Sequence, residues 1–160
     1  MRPRIAPQET TQLTSPLPRQ LRRAIVAETG LKPEIKWPND LCSTEKKSPA
    51  FCTELNAEPD RVKYAILGIG VDVNASATEL PPEIRKLATS LKIESGETID
   101  RAELATAILR ELDADYARIG AGKFTDIADE WERHCTTLGK SVTVQIGDRK
   151  IRGRVESLDG

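Results

Sequence analysis

Residues 65–74 read AILGIGVDVN, an apolar run punctuated by two glycines. The first half, residues 65–69, is nearly continuous in apolar side chains. This predicts a strand covered on both faces, and therefore a sheet with helices packed against it. Together with residues 50–55, the longer segment 62–73 predicts a β-hairpin around a polar turn. The fold class that follows is α+β or mixed α/β, of which α+β is the prediction.

Three segments with helical periodicity accompany this hairpin. The first, residues 18–29, has a proline in its first turn and ends before Gly30, a residue suited to the left-handed conformation after a helix. The second begins at Asp100, a typical N-cap, and carries its apolar side chains on one face. That face consists of Leu104, Ile108, Leu112 and Tyr116. The third covers residues 124–135.

Beyond Gly139 the apolar period changes to two. Val142, Val144 and Ile146 alternate with polar residues, and a turn at Gly147 leads into a second alternating segment. A hairpin alone is marginal in water. This one is therefore predicted to pack on the main domain or to begin a small barrel.

Composition limits the class of protein. The chain has 160 residues, 38% of them hydrophobic, with 24 lysines and arginines against 25 acidic residues. The near-zero net charge gives no electrostatic reason to expect nucleic-acid or membrane binding. A cytoplasmic location is expected, because no apolar run approaches the roughly 20 residues of a membrane-spanning helix. The three cysteines and single histidine lack the spacing of a zinc site, so no such site is predicted.

A second motif precedes the hairpin: KWPNDL at residues 36–41, followed by Lys47. Activation of a carboxylic acid by ATP requires a cation that neutralises the α-phosphate as charge builds up, and Lys47 is the candidate. Because neighbours in a strand point to opposite faces, only one of Lys46 and Lys47 can enter a site. Taken alone, such lysines are more often solvated, and a pair such as Asn39-Asp40 more often forms a turn or a cap.

The order and spacing of these blocks resemble the biotin protein ligases. Lys47 lies seven residues after Asp40, the interval at which that family places its catalytic lysine. The resemblance implies that Lys47 contacts the acid carboxylate and the α-phosphate. It places Asn39 and Asp40 at the reacting centre, where the carboxylate would orient Lys47, help to hold Mg²⁺ or accept the proton of an incoming amine. These three roles remain open.

The same resemblance implies contacts with biotin and the nucleotide. They are assigned to Trp37, Ala50, Phe51, Cys52, Gly68, Gly70, Asp72 and Asn74. Two of these residues differ from the family pattern, since Ala50 replaces a glycine and Asp72 replaces an asparagine. By itself, Gly-x-Gly more often marks close strand packing. It indicates a nucleotide contact here only because it follows the KWPND block.

The resemblance also implies an architecture. Residues 1–138 would form part of a catalytic domain of the class II aminoacyl-tRNA synthetase-like type, in which helices flank a mixed sheet. Residues 139–160 would begin a C-terminal SH3-like β-barrel. The family's Gly-Arg-rich loop has no counterpart in the sequence. A catalytic domain incomplete at its N-terminus is therefore expected.

The implied activity is that of a ligase. With ATP and Mg²⁺ it would convert biotin to biotinyl-5′-AMP and transfer biotin to a lysine of a biotin carboxyl carrier protein. Because some family members are dimers, a homodimer is a further expectation. Two alternatives stay open: a non-catalytic remnant or interaction module that keeps the fold, and a ligase for another carboxylic acid such as lipoate.

Overall fold

The computed structural model describes Leu13 and residues 16–37, 39–43, 46–48, 51–57 and 62–157, with residues 46–48, 51–57, 62, 63 and 65 described by their main chain alone. The helices are α1 (Leu17–Thr29), α2 (Leu91–Ser95), α3 (Arg101–Gly120) and α4 (Phe124–Arg133). The strands are β1 (Glu34–Lys36), β2 (Asp40–Ser43), β3 (Lys46–Ser48), β4 (Phe51–Ala57), β5 (Val62–Ile69), β6 (Ser141–Ile146) and β7 (Arg149–Arg154). The predicted α+β class is confirmed.

The described strands form three small antiparallel sheets. Their orders are β1-β2-β3, β4-β5 and β6-β7. The prediction of a mixed sheet differs from this arrangement. In the described part of the chain each strand pairs with a strand from which at most four residues of sequence separate it, and so short a connection joins antiparallel strands. Parallel pairing occurs there only as an isolated bridge between Ile35 and Cys135.

Helix α1 forms as its sequence predicts. It ends at Thr29, and Gly30 adopts a left-handed conformation with φ of 70°. The main-chain N–H of Gly30 donates to the carbonyl oxygen of Val26 at 3.0 Å, so the helix end is closed by its own main chain. The side chains of Leu21 and Ile25 on one face of the helix are buried.

Two hydrophobic clusters join the elements. The larger cluster contains Leu21, Ile25, Ile35, Leu41, Leu91, Ile99, Leu104 and Trp131. The smaller one contains Leu13, Ile119 and Ile127. The predicted apolar face of α3 contributes to both, because Leu104 and Ile108 belong to the first and Tyr116 packs against the second.

Charged and polar side chains are buried between the helices beside these clusters. Arg19 in α1 is fully buried and forms an ion pair with buried Asp115 in α3. Its Nη1 atom also lies 3.0 Å from Oε2 of Glu130 in α4. Gln20 Nε2 donates to the second carboxylate oxygen of Asp115 at 3.0 Å. This network links three helices and belongs to the scaffold.

The hairpin of β4 and β5 is present, but β5 ends at Ile69, before the predicted end at residue 73. Ile66 is 52% exposed and Gly68 is also exposed. The prediction of a strand covered on both faces is therefore wrong for the described residues. The physical reason is that, among the described side chains of this strand, Ile69 alone packs against the hydrophobic core.

The C-terminal hairpin of β6 and β7 is confirmed, with Gly147 at its turn in a left-handed conformation (φ 58°). Gly139 N–H donates to the carbonyl oxygen of Val155 at 2.9 Å. Ile146 and Ile151 are more than half exposed. The barrel itself stays a prediction. In the described part of the chain, no helix is both long and apolar enough to cross a bilayer.

The N-cap of α3 gives a stability prediction. Asp100 Oδ1 accepts hydrogen bonds from the main-chain N–H groups of Ala102 at 2.7 Å and Glu103 at 3.1 Å. Asp100→Ala is expected to lower the free energy of unfolding by about 1 kcal/mol, measured by urea denaturation. Asp113→Ala, which removes an exposed charge inside the same helix, should not lower it, because alanine favours helix. Equal effects would contradict the capping role.

Candidate functional site

The KWPND block lies at the tight turn between β1 and β2. Lys36 pairs with Asp40 in register, and Trp37 and Asn39 lie between them. Trp37 is 44% exposed, and its main-chain N–H donates to Thr137 Oγ1 at 3.1 Å. The polar pair Asn39 and Asp40 is half-buried, so these groups remain accessible from the surface.

The turn is held by the segment after α4. Ile35 N–H donates to the carbonyl oxygen of His134 at 2.9 Å, and Thr136 N–H donates to the carbonyl oxygen of Ile35 at 2.8 Å. Burial, followed by the nearby charge of Arg22, lowers the pKa of His134. His134 contributes its main-chain contact with β1, which fixes the base of the turn.

Strand β3 brings the main chain of Lys47 beside the KWPND block. Lys47 pairs with Cys42 and Lys46 pairs with Ser43, so both lysines lie opposite the strand that begins at Asp40. The side chain of Lys47 is outside the described atoms. Burial raises the pKa of the Cys42 thiol, whose Sγ donates to the carbonyl oxygen of Glu34 at 3.5 Å. That thiol is therefore structural and not a nucleophile.

Strand β4 carries further predicted contacts. Phe51 pairs with Ile69 and Cys52 pairs with Gly68, which sets the strand assigned to biotin directly beside the Gly-x-Gly strand. Ala50, the remaining predicted contact at this end, lies outside the described residues. The register thus brings two of the predicted blocks together at the main-chain level.

Residues beyond Ile69 continue to alternate although β5 has ended. Val71 and Val73 pack against the hydrophobic core, as Ile69 does. A second set alternates with them and is exposed: Gly68, Gly70 and Asp72. Three of the predicted contact residues, Gly68, Gly70 and Asp72, therefore share an exposed face whose reverse side packs against the core. Two glycines on that face leave room for a ligand to approach the main chain closely.

The reverse side lies along helix α3. An open apolar groove of about 710 Å³ runs between them. Its lining includes Ile69, Val71, Val73, Leu104, Ile108 and Leu112. The exposed residues Gly68, Gly70 and Asp72 do not line it, so the groove is separate from the candidate nucleotide face.

Asn74 has a structural role that its sequence context does not indicate. Its Nδ2 donates to the carbonyl oxygen of Ile99 at 2.8 Å, and its Oδ1 accepts from the N–H of Ile99 at 2.9 Å. Both polar atoms of the Asn74 amide are thereby hydrogen-bonded to the main chain of Ile99, 25 positions away. Asn74 anchors the segment to the start of α3, and its contact with nucleotide stays a prediction.

Sequence reasoning does not single out Glu94, although it connects strand β2 to the residues that precede α2. Its carboxylate accepts from Ser43 Oγ in β2 at 2.6 Å and from Thr89 Oγ1 at 2.7 Å. Neither spacing matches a helical or strand period. A signal for this residue exists only in the tertiary structure.

One of the predicted site residues, Asp40, can serve as a ligand of Mg²⁺. Among the residues described by the structure, no group of three His, Cys, Asp or Glu side chains is placed to hold a metal ion. Asp40 would thus supply a single carboxylate. Mg²⁺ keeps several water ligands and is commonly held by one or two carboxylates together with substrate phosphates, so a single carboxylate suits it.

Comparisons with known proteins agree with these features. No protein-family model matches the chain. It is 35% identical over 159 residues to the bifunctional ligase/repressor BirA of Bacillus spizizenii, covering 99% of the chain and 49% of that relative. It is 31% identical over 134 residues to the biotin–[acetyl-CoA-carboxylase] ligase of Mycobacterium tuberculosis, covering 83% of the chain and 45% of that relative. The chain spans about half the length of these curated relatives.

Solved structures give the same result. A biotin protein ligase from Aquifex aeolicus matches with a TM-score of 0.81 and 28% identity, over 97% of this chain and 68% of that one. The complex of that enzyme with biotin and ATP matches with a TM-score of 0.79 and 29% identity, over 92% of this chain and 60% of that one. By sequence and by fold, the chain is similar to the biotin protein ligases, and it spans about half the length of its curated relatives.

Proposed function

We propose that the chain forms part of a biotin protein ligase. In the first step, a biotin carboxylate oxygen attacks the α-phosphorus of ATP, pyrophosphate leaves and biotinyl-5′-AMP forms. In the second step, a lysine amine of a biotin carboxyl carrier protein attacks the acyl carbon, loses a proton and displaces AMP. The relatives named as ligases and the neighbour solved with biotin and ATP support this proposal.

The observation that carries the proposal is the exposed face of Gly68, Gly70 and Asp72 beside strand β4. On one side of this segment Val71 and Val73 pack against the core and line the groove along α3, while the other side is exposed and offers a platform for a nucleotide. The glycines let the nucleotide lie against the main chain. The carboxylate of Asp72 can accept a hydrogen bond from the amino group of adenine.

The reacting groups are assigned to the neighbouring sheet. Lys47 neutralises the charge that develops between the acid carboxylate and the α-phosphate. Asn39 and Asp40, at the turn facing β3, orient Lys47 or receive the proton of the carrier amine. If Mg²⁺ is bound, Asp40 is its protein ligand, and the ion supplies further neutralisation of phosphate charge.

Contacts with biotin are assigned to the turn and to the start of β4. These residues are Trp37, Ala50, Phe51 and Cys52. The exposure of Trp37 leaves its ring available to a ligand. The pairing of Cys52 with Gly68 supports a site in which biotin and nucleotide lie side by side, because the two strands are adjacent.

The finer architecture belongs to the same proposal. A class II aminoacyl-tRNA synthetase-like catalytic domain would include residues 1–138, and residues 139–160 would begin an SH3-like barrel. The exposed side chains of Ile146 and Ile151 support a barrel, since further strands would bury them. Action in the cytoplasm, as a homodimer, completes the proposal.

Isothermal titration of the purified chain with biotin, and then with biotinol-AMP, tests the proposal. Biotinol-AMP is a stable analogue of the adenylate. Micromolar or tighter binding of the analogue is expected. A folded chain that gives no heat with either ligand would refute the proposal and favour a non-catalytic module. Thermal stabilisation by lipoate, in the absence of biotin binding, would instead indicate a ligase for another acid.

Asp72 provides a specific prediction within this assay. The Asp72→Asn variant keeps an acceptor oxygen for the amino group of adenine, removes a negative charge from the face that also receives the anionic phosphodiester, and adds an amide donor. It is expected to bind biotinol-AMP about 5-fold more tightly, which corresponds to roughly 1 kcal/mol of relieved repulsion near water. Asp113→Asn makes the same charge change at an exposed site on α3 and should leave affinity unchanged. Weaker binding by Asp72→Asn would contradict the proposed position of the nucleotide.

A further inference from the structure

Glu94 lies in the short helix α2, and its two carboxylate oxygens have different partners. Oε2 accepts from Ser43 Oγ at 2.6 Å, and Oε1 accepts from Thr89 Oγ1 at 2.7 Å. Ser43 is the last residue of β2, the strand that begins at Asp40. The carboxylate therefore ties α2 to the strand that carries the proposed reacting groups.

The same helix start is tied to the proposed nucleotide face. Leu91 N–H donates to the carbonyl oxygen of Asp72 at 2.9 Å, and Lys92 N–H donates to that of Val73 at 2.8 Å. Ser90 Oγ donates to the carbonyl oxygen of Ala75 at 2.6 Å. Three hydrogen bonds thus fix the main chain of residues 72–75 against α2. A displacement of α2 would move the nucleotide face with it.

This connection is rigid because it is buried. Thr89 and Ser90 are fully buried, Leu91 belongs to the hydrophobic core and Glu94 is half-buried. The cavity between α2 and β2 measures only about 20 Å³, which leaves little room for either element to shift. Hydrogen bonds to a carboxylate are stronger than those between neutral groups, and more so where water is excluded.

The strands on the two sides of Glu94 belong to different sheets. β2 pairs with β1 and β3, whereas the segment after β5 continues from the sheet of β4 and β5. No ladder of main-chain hydrogen bonds joins these two sheets within the described residues. Their separation is therefore set by side-chain contacts and packing, among which the Glu94 carboxylate bridges Ser43 and the base of α2.

We propose that Glu94 is a positioning residue that sets the distance between the Asp40 block and the Gly68–Asp72 face. The inference rests on the proposed function, in which the acid and its activating lysine lie on one side and the nucleotide on the other. Reaction then requires the carboxylate oxygen of biotin to lie at the attacking distance from the α-phosphorus. A displacement of about 1 Å from that distance is enough to slow catalysis. Glu94 acts through Ser43 and α2 and does not touch substrate.

A ligand that spans both blocks distinguishes positioning from general loss of structure. Biotinol-AMP engages both sides, whereas AMP alone engages only the Gly68–Asp72 face. Glu94→Ala is expected to weaken biotinol-AMP binding about 10-fold while changing AMP binding by less than about 2-fold, as measured by titration calorimetry. Glu94→Gln keeps the length and one acceptor oxygen, so its loss should be intermediate. Glu97→Ala, an exposed neighbour three residues away, should match wild type.

Equal weakening of both ligands by Glu94→Ala would overturn the inference, because that result indicates general destabilisation. Binding of biotinol-AMP at wild-type affinity would overturn it as well. If Glu94→Ala does not fold, as judged by circular dichroism, Glu94→Gln is used instead. It should also lose more affinity for biotinol-AMP than for the ligand that engages one side only, and equal losses would overturn the inference.

Hydrogen exchange gives a readout that needs no ligand. In Glu94→Ala, the amides of Leu91 and Lys92 should exchange about 10-fold faster than in wild type, while those of the distant helix α1 stay unchanged. Unchanged exchange at Leu91 and Lys92 would overturn the coupling. Absence of analogue binding by the wild-type chain would refute the proposed function instead, so the two failures are distinguishable.

Discussion

Replacement of Lys47 by alanine is expected to lower the rate of biotinyl-5′-AMP formation by at least about 100-fold. A charge aimed at the oxygen atoms on which charge develops typically contributes a factor of 10² to 10³ to the rate. The register supports this role, since Lys47 lies opposite Cys42, two positions along β2 from Asp40. Formation of labelled adenylate from ATP, in a single turnover at saturating biotin, measures the effect.

Lys46→Ala is the matched control for this experiment. Lys46 is the adjacent residue of β3 and pairs with Ser43, and neighbours in a strand project to opposite faces. It should retain the wild-type rate to within about 2-fold, because its side chain is expected to project away from the face that Lys47 enters. Equal losses in the two variants would indicate a general effect of positive charge on β3. No loss in Lys47→Ala would remove this residue from the site.

Asp115→Ala is expected to lower the free energy of unfolding by about 3–5 kcal/mol. The substitution leaves the guanidinium of Arg19 fully buried without its principal partner, and it also removes the acceptor of Gln20 Nε2. Glu130, 3.0 Å from Arg19 Nη1, compensates for only part of the lost interaction. Urea denaturation followed by circular dichroism measures the change.

An exposed ion pair on the same helix supplies the control. Glu111 in α3 pairs with Arg23 of α1 at 2.8 Å, and the Arg23 side chain is 45% exposed. Glu111→Ala should cost less than about 1 kcal/mol, because water screens the pair. The double variant Arg19→Met/Asp115→Leu should recover much of the stability lost in Asp115→Ala, since buried charge is removed entirely. A loss under 1 kcal/mol in Asp115→Ala would show that the network is not a structural determinant.

Local sequence signals account for much of the fold. The end of α1 at Gly30, the cap at Asp100 and the hairpin turn at Gly147 are all where the sequence predicts them. Each depends on interactions within a few residues, such as a positive φ that glycine adopts readily or a side chain that accepts from the next turn. Such interactions are encoded in short segments, so a pattern of five to fifteen residues suffices to predict them.

The sequence suggested which residues to consider for the candidate site, but it said less about how those residues are arranged in space. The KWPND block, Lys47 and the Gly-x-Gly segment carry the resemblance to the biotin protein ligases, and alternation along residues 68–73 assigns one side to the core. The predicted coverage of β5 on both faces was wrong, because burial depends on which elements pack above and below a strand. Asn74 likewise makes its two hydrogen bonds with Ile99, a pairing between distant positions that no local pattern specifies.

The sequence by itself determined the elements, their caps and the residues that resemble a biotin ligase site, because these depend on neighbours along the chain. Only the tertiary structure decided how the Asp40 strand and the Gly68–Asp72 face are held relative to one another. That arrangement depends on Glu94, which joins Ser43 and Thr89 across 51 and 5 positions of sequence. A hydrogen bond of this kind forms only after packing has brought distant segments together, so its existence follows from the fold rather than from any motif.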